Sequence, residues 1–169
     1  MKDFYDFFIE ELKKMYSAEK QITKAMPKVI KAAKSNNLKK ALAHHLQETK
    51  TQVKRLEAVG KELKENLTGA TCLPMKALLK EGEKYIKGKY ESMVRDAALI
   101  NCCQQVEHYE MACYGALKDH ARNFGLFKVE RLLEDSSQEE GNADKKLTEI
   151  AKGTQFSEGI NKIACKRSA

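Results

Sequence analysis

The sequence predicts an all-α protein, a four-helix bundle whose long middle connection contains a short helix. Three observations predict it. Two prolines, nine glycines and no tryptophan in 169 residues, with 33% of positions charged, suit amphipathic helices that carry Lys and Glu on their solvent faces. Apolar residues recur at helical rather than alternating spacing over four long segments. Each of those segments also carries an acid on its apolar stripe.

Phe4, Phe8, Leu12, Tyr16, Ile22, Met26 and Ile30 recur at steps of three, four or six and mark a first helix over about residues 3–34, with Glu19 inside the stripe. Ser35-Asn36-Asn37 supplies stop and N-cap chemistry. Leu38, Leu42, His45, Thr49, Gln52 and Leu56 then carry a second helix to about residue 66, polar at its centre on the core side. From Asn66 to Tyr90 the pairs Thr68-Gly69 and Leu73-Pro74 interrupt the pattern. A short helical run through Met75, Leu78 and Leu79 follows, and then Gly88, so this stretch reads as the crossover.

A third helix, from about Ser92 to Asn123, sets Ala97, Ile100, Cys103, Glu107, Glu110, Tyr114 and Leu117 on one face and stops at Asn123-Phe124-Gly125. The fourth runs from about Leu126 to Lys152 with Leu133, Glu140, Asp144, Leu147 and Ala151 inward. Two short turns flanking one long connection match the one-crossover topology of ferritin-like bundles. The bundle is assigned to residues 1–152 and a basic C-terminal tail to residues 153–169, expected to be a loosely ordered terminus that ends in Lys166 and Arg167.

Composition also excludes function classes. The first thirty residues place a charge every few positions, which leaves no stretch for a signal peptide or membrane span, so a cytoplasmic protein is expected. Cys72, Cys102, Cys103, Cys113 and Cys165 are odd in number and form no CxxC pair, which fits small thiols in a reducing compartment. The net charge of +7 comes from 31 basic and 24 acidic residues interspersed along the chain. That pattern is a solvated surface, and nucleic acid is not an expected partner.

The acids carry the functional signal. Burying an unpaired carboxylate costs several kcal/mol, so an acid on all four stripes calls for compensating cations, and a pair of dications would supply them. Glu107 lies fifteen residues before Arg122 and Glu140 fifteen after Gly125, so the two should face each other across the last turn. Glu19 and Glu48 match across the first turn to within about one helical turn of 5.4 Å. Carboxylates from opposite helices suit two metal ions per chain, iron first, with manganese or zinc as alternatives.

An ideal di-metal bundle would carry Glu-x-x-His on two helices, whereas the positions three after Glu48 and Glu140 are Thr51 and Ala143. In their place stand His45 three before Glu48, Glu110 three after Glu107, and Asp144 four after Glu140. The candidate metal ligands are therefore Glu19, His45, Glu48, Glu107, Glu110, Glu140 and Asp144. His45 has a second reading, as a core histidine bonded to Thr49 or Gln52. Tyr16 and Tyr114 are either donors to ligating carboxylates or plain core aromatics. His108 should point away from the Glu107–Glu110 seam.

Five motifs in order carry a resemblance over nearly the whole chain: Tyr-x-Ala-Glu-Lys-Gln at Tyr16 to Gln21, His-Leu-x-Glu-Thr at His45 to Thr49, Asp-Ala-Ala-Leu-Ile at Asp96 to Ile100, Val-Glu-His-Tyr-Glu at Val106 to Glu110, and Glu-Glu-x-x-Ala-Asp at Glu139 to Asp144. The sequence resembles the YciE/YciF family of bacterial ferritin-like proteins and looks closer to its YciF branch. The resemblance implies a di-iron-type bundle, a homodimer, and a link to bacterial stress responses, with no established activity. Gly141, beside Glu140, departs from the pattern where a helix former would be usual.

Two functions from different classes follow. One is a redox metalloprotein acting on dioxygen or peroxide, ferroxidase-like or peroxide-removing. The other is a non-enzymatic stress-associated bundle dimer whose core holds a structural metal or is internally hydrogen-bonded.

Overall fold

In the computed structural model, which describes residues 2–166, Asp3 accepts a hydrogen bond from the Asp6 amide and starts helix α1 (Phe4–Ala32). Ser35 caps α2 (Asn36–Leu63) in the same way through the Leu38 amide, as the Ser-Asn-Asn turn predicts. The crossover contains α3 (Leu73–Lys87), with Pro74 in its first turn where no amide is needed. Helices α4 (Ser92–Asn123) and α5 (Phe127–Lys152) are joined by a tight turn in which Gly125 adopts φ +70°.

Contacts at the ends fix the directions. Phe4, at the start of α1, packs on His120 and Phe124 at the end of α4, with ring centroids 4.8 and 5.6 Å apart. At the other end, Asp96 near the start of α4 accepts from the amides of Lys34 and Ser35, just past α1. Lys128 at the start of α5 pairs with Glu62 at the end of α2 at 2.5 Å. So α1 is antiparallel to α4 and α2 to α5, and the crossover returns the chain along the bundle, where α3 lies against α1 and α4.

Asp96 is fully buried and its two oxygens satisfy amides that the turn would leave orphaned. Removing it takes the acceptor from both amides. Asp96→Ala is expected to cost about 1–3 kcal/mol, read as a lower urea midpoint with an unchanged slope.

Along each long helix the buried residues change character at mid-length. On α1, Phe8, Leu12 and Met15 give way to Glu19 and then to Ile22 and Met26; on α2, Leu38 and Leu42 precede His45, Thr49 and Gln52, and Leu56 and Val59 follow. On α4, Leu99 and Ile100 lie before Glu107 and Glu110, and Leu117 after them; on α5, Val129 and Leu133 precede Ser136 and Glu140, and Leu147 follows. The core is therefore two apolar layers separated by one polar layer.

The segment after α5 is not the loose terminus expected from its charge. Gly153–Thr154 (β1) pairs antiparallel with Ser157–Glu158 (β2), and α6 (Ile160–Lys166) buries Ile160 and Ala164 against α4 and α5. Gly153, at φ +84°, permits this reversal, because a Cβ there would meet the Ser157 carbonyl oxygen at 2.5 Å. Lys166 pairs with Glu158 at 2.5 Å, while Arg167 lies outside the described residues. Among the described residues all five cysteines are free thiols, and no helix is long and apolar enough to cross a membrane.

Candidate metal centre

The polar layer brings His45 from α2, Glu107 and Glu110 from α4, and Glu140 from α5 together, one ligand atom of each lying within 4.8 Å of the others. The tight α4–α5 turn sets Glu107 opposite Glu140, the facing that equal counts from the turn predict. Glu107 and Glu110 share a face because they are three residues apart on one helix. His45 Nε2 lies 3.1 Å from Glu107 Oε2 and 3.5 Å from Glu140 Oε2. Glu19 enters the same layer from α1, fully buried.

These groups are short of partners. Glu19 Oε2, Gln52 Oε1, Glu107 Oε1 and Glu110 Oε1 are buried without a partner, while His45 Nε2, Glu107 Oε2 and Glu140 Oε2 have only one another, as ion-pair contacts without hydrogen-bond geometry. Each such atom costs about 1–3 kcal/mol. Oxygen lone pairs and one imidazole nitrogen converging on a water-excluded point are a donor set for a hard or borderline cation, so the residues present fit a metal ion.

Electrostatics agree with the geometry. Burial raises Glu19 to about 8, against the hydrogen bond from Tyr114 and the charge of His45, with Glu107 adding to the rise. Burial and the neighbouring carboxylates, Glu140 first for Glu110 and Glu107 for Glu140, hold both well above the usual carboxylate range. For His45 burial opposes the charged ring, but Glu107, Glu48 and Glu140 together outweigh it and hold the imidazole protonated well above its ordinary value. Without a metal, protons and one imidazolium carry the positive charge that a cation would supply.

A surrounding layer orients the donors. Glu48 Oε2 lies 3.3 Å from Nδ1 of both His44 and His45. Holding Nδ1 of His45 turns Nε2 toward the cluster, the carboxylate–histidine arrangement found behind many metal sites. The Tyr114 hydroxyl donates to Glu19 Oε1 and leaves Oε2 free. Gln52 Nε2 donates to Glu140 Oε1 and likewise frees Oε2. Gln52 is itself steadied by Glu139 at 3.1 Å, which receives a two-pronged bond from Arg55 at 2.5 and 2.7 Å.

Of the seven candidate ligands, the structure gathers Glu19, His45, Glu107, Glu110 and Glu140 in one buried layer. Glu48 stands behind His45, its side chain 24% exposed against 5% for the imidazole. Asp144 is turned to Gln104 at 2.9 Å and to the exposed ring of His108 at 3.3 Å. Thr49 donates to the backbone oxygen of His45 and Gln52 bonds Glu140, so neither occupies the imidazole. Tyr16 reaches Glu57 at 3.0 Å instead of Glu19. The Arg55–Glu139–Gln52 chain has no mark in the sequence, because Glu139 lies more than eighty residues from both Gln52 and Arg55.

A family model described as a domain of unknown function, DUF892, matches residues 3–161. The chain belongs to this family. It is 40% identical over 152 residues to protein YciF of Escherichia coli K12, covering 89% of this chain and 92% of that protein. The crystal structure of the E. coli stress protein YciF superposes with a TM-score of 0.86 at 39% identity, covering 89% of this chain and 95% of that one. YcfI from Rhodopseudomonas palustris gives 0.86 at 37% identity over 89% and 96% of the two chains. A Xanthomonas campestris protein shares the fold alone, at 0.72 and 21% identity over 96% and 97%. The YciF branch anticipated from the five motifs is the one these relatives support.

Among the described residues, a groove and a cleft reach side chains of the cluster in this DUF892 bundle. A groove of about 850 Å3 between α2, α5 and the C-terminal segment has His45, Glu48 and Glu107 among its walls, with Lys40, His44, Lys146 and Glu158 nearby. A cleft of about 50 Å3 between α1, α3 and α4 also ends on Glu107.

Proposed function

We propose that this chain is a di-metal carboxylate protein of the bacterial stress-response kind, binding two iron ions and removing peroxide or dioxygen in a ferroxidase-like reaction. The observation that carries the reading is the set of orphaned donor atoms converging in the polar layer. His45, Glu107, Glu110 and Glu140 would hold the metal, with Glu19 as a further carboxylate donor in the same layer. A ferrous pair would supply one electron from each ion, taking hydrogen peroxide and two protons to two waters.

The chain's own residues do the rest. Glu48 fixes the ring of His45, Tyr114 fixes Glu19 and Gln52 fixes Glu140, so each free atom is presented without reorganisation. The protons that Glu19, Glu110, Glu140 and His45 hold in the metal-free state would be displaced by a bound cation. Manganese would fit the same donors, and zinc would fill them without redox chemistry. We place the protein in the cytoplasm as a homodimer.

Anaerobic ferrous titration followed by peroxide or oxygen tests this reading. A breakpoint at two ions per chain with oxidant consumed is the expected result, and no breakpoint with no consumption sinks it. Tyr114→Phe is expected to lower metal affinity about 10–100-fold, measured by chelator competition, because Glu19 loses the bond that aims it.

One observation favours a second reading, a non-enzymatic bundle with a structural polar core. The bonds from Arg55 through Glu139 and Gln52 to Glu140 are complete without any ion.

A further inference from the structure

The groove and the cleft meet Glu107 between different helices, and their chemistry differs. The groove is wide and carries charged side chains, a route suited to hydrated ions and peroxide. The cleft is small and lined mostly by apolar side chains, among them Ile22, Met26, Leu79, Leu99 and Val106, with the thiols of Cys102 and Cys103 in its wall and Glu107 at its floor. At its mouth Lys28 and Glu83, both well exposed, stand 4.0 Å apart. Between mouth and floor the walls offer only the weakly hydrogen-bonding thiols of Cys102 and Cys103, short of the two to four good polar partners that an ordered water needs, and apolar cavities of this kind stay dry and take apolar guests.

We propose that this cleft is a binding site for an apolar diatomic, dioxygen, and delivers it to the metal cluster at Glu107 while ions and peroxide use the groove. The delivery half rests on reading the buried cluster as a metal centre; the binding half does not. A volume of about 50 Å3 holds one diatomic molecule or one xenon atom but no organic substrate. Dioxygen prefers an apolar wall to water, so the cleft raises its local concentration beside a carboxylate of the cluster. Because α3 forms one wall, the crossover helix has a task in the chemistry as well as in the topology.

Gly82 on α3 gives a way to close the cleft without unfolding the protein. A Cβ added there meets only the Cys102 Cβ, at 3.8 Å, an ordinary contact, and replacing a helical glycine also removes an entropic penalty. Gly82→Leu fills the space from that wall. Leu79→Ala enlarges it from the same helix.

The test uses xenon on the metal-free chain and oxidation rates on the iron-loaded chain. Under xenon pressure, methyl resonances of Val29, Leu79 and Val106 are expected to shift, the shifts to vanish in Gly82→Leu, and those of Val29 and Val106 to grow in Leu79→Ala. In stopped flow, Gly82→Leu is expected to slow oxidation by dioxygen several-fold while oxidation by hydrogen peroxide keeps its rate. Unmoved methyl resonances in the parent chain overturn the proposal, whether or not iron binds. Equal dioxygen rates in the parent and Gly82→Leu overturn delivery. If the xenon shifts are present in a chain that takes up no iron, the cleft stands as a gas site and the metal reading alone fails.

Discussion

Replacing Glu110 with leucine is expected to raise the melting temperature of the metal-free protein and to abolish the further rise on adding metal. Glu110 is buried, its Oε1 has no partner, and burial together with three neighbouring carboxylates holds it in the neutral form. It contributes desolvation cost and no completed bond, so an apolar side chain of similar volume should stabilise the metal-free fold by about 1–4 kcal/mol. For a chain of this length that corresponds to roughly 2–4 °C per kcal/mol. The opposite sign carries the opposite meaning. A fall in melting temperature would make Glu110 part of a hydrogen-bonded structural core and favour the non-enzymatic reading.

The second large effect couples pH to metal. In the metal-free fold Glu19 is raised to about 8, and Glu110, Glu140 and His45 lie well above their ordinary values. All four shifts have the same sign, since the folded chain keeps protons that the unfolded chain releases. Their contribution is fully present below the unfolded values, about 4.3 for Glu and 6.5 for His, and is lost as pH rises through the folded values. Metal-free melting temperature should therefore fall between about pH 4 and pH 8, the span set by the unfolded Glu value and by Glu19. Metal replaces those protons, so the gain on loading should widen over the same interval. At a thousandfold excess over Kd the gain is about 4 kcal/mol, roughly 8–16 °C for this chain. A flat pH profile with no gain on adding ferrous or manganous ion would remove the metal centre from consideration.

Particular residues explain what could be read from the chain alone. The α4–α5 turn is tight, so counting outward from it sets Glu107 against Glu140 with little accumulated error. Across the first turn the match was a helical turn looser, and the residue that comes inward is His45 rather than Glu48. Asp144 misses the cluster because its carboxylate, one turn beyond Glu140, is taken up by Gln104 and His108. Helix α6 has two buried anchors in seven residues, too short for a period to show, so its charge dominated the expectation. The Arg55–Glu139–Gln52 bonds join helices distant in sequence, and neither spacing nor composition marks such a pairing.

The position of the polar layer has a topological consequence. Its donors come from four helices and from points as far apart in the chain as Glu19 and Glu140. A metal gripping them would act as a cross-link, closing loops that span most of the sequence and stripping configurational freedom from the disordered chain, as a covalent bridge would. The tie would also sit between the two apolar layers, where the metal-free core coheres least. Escape from the native state would then require the tie to open before either layer could separate, so the holoprotein should persist through its unfolding rate as much as through its equilibrium.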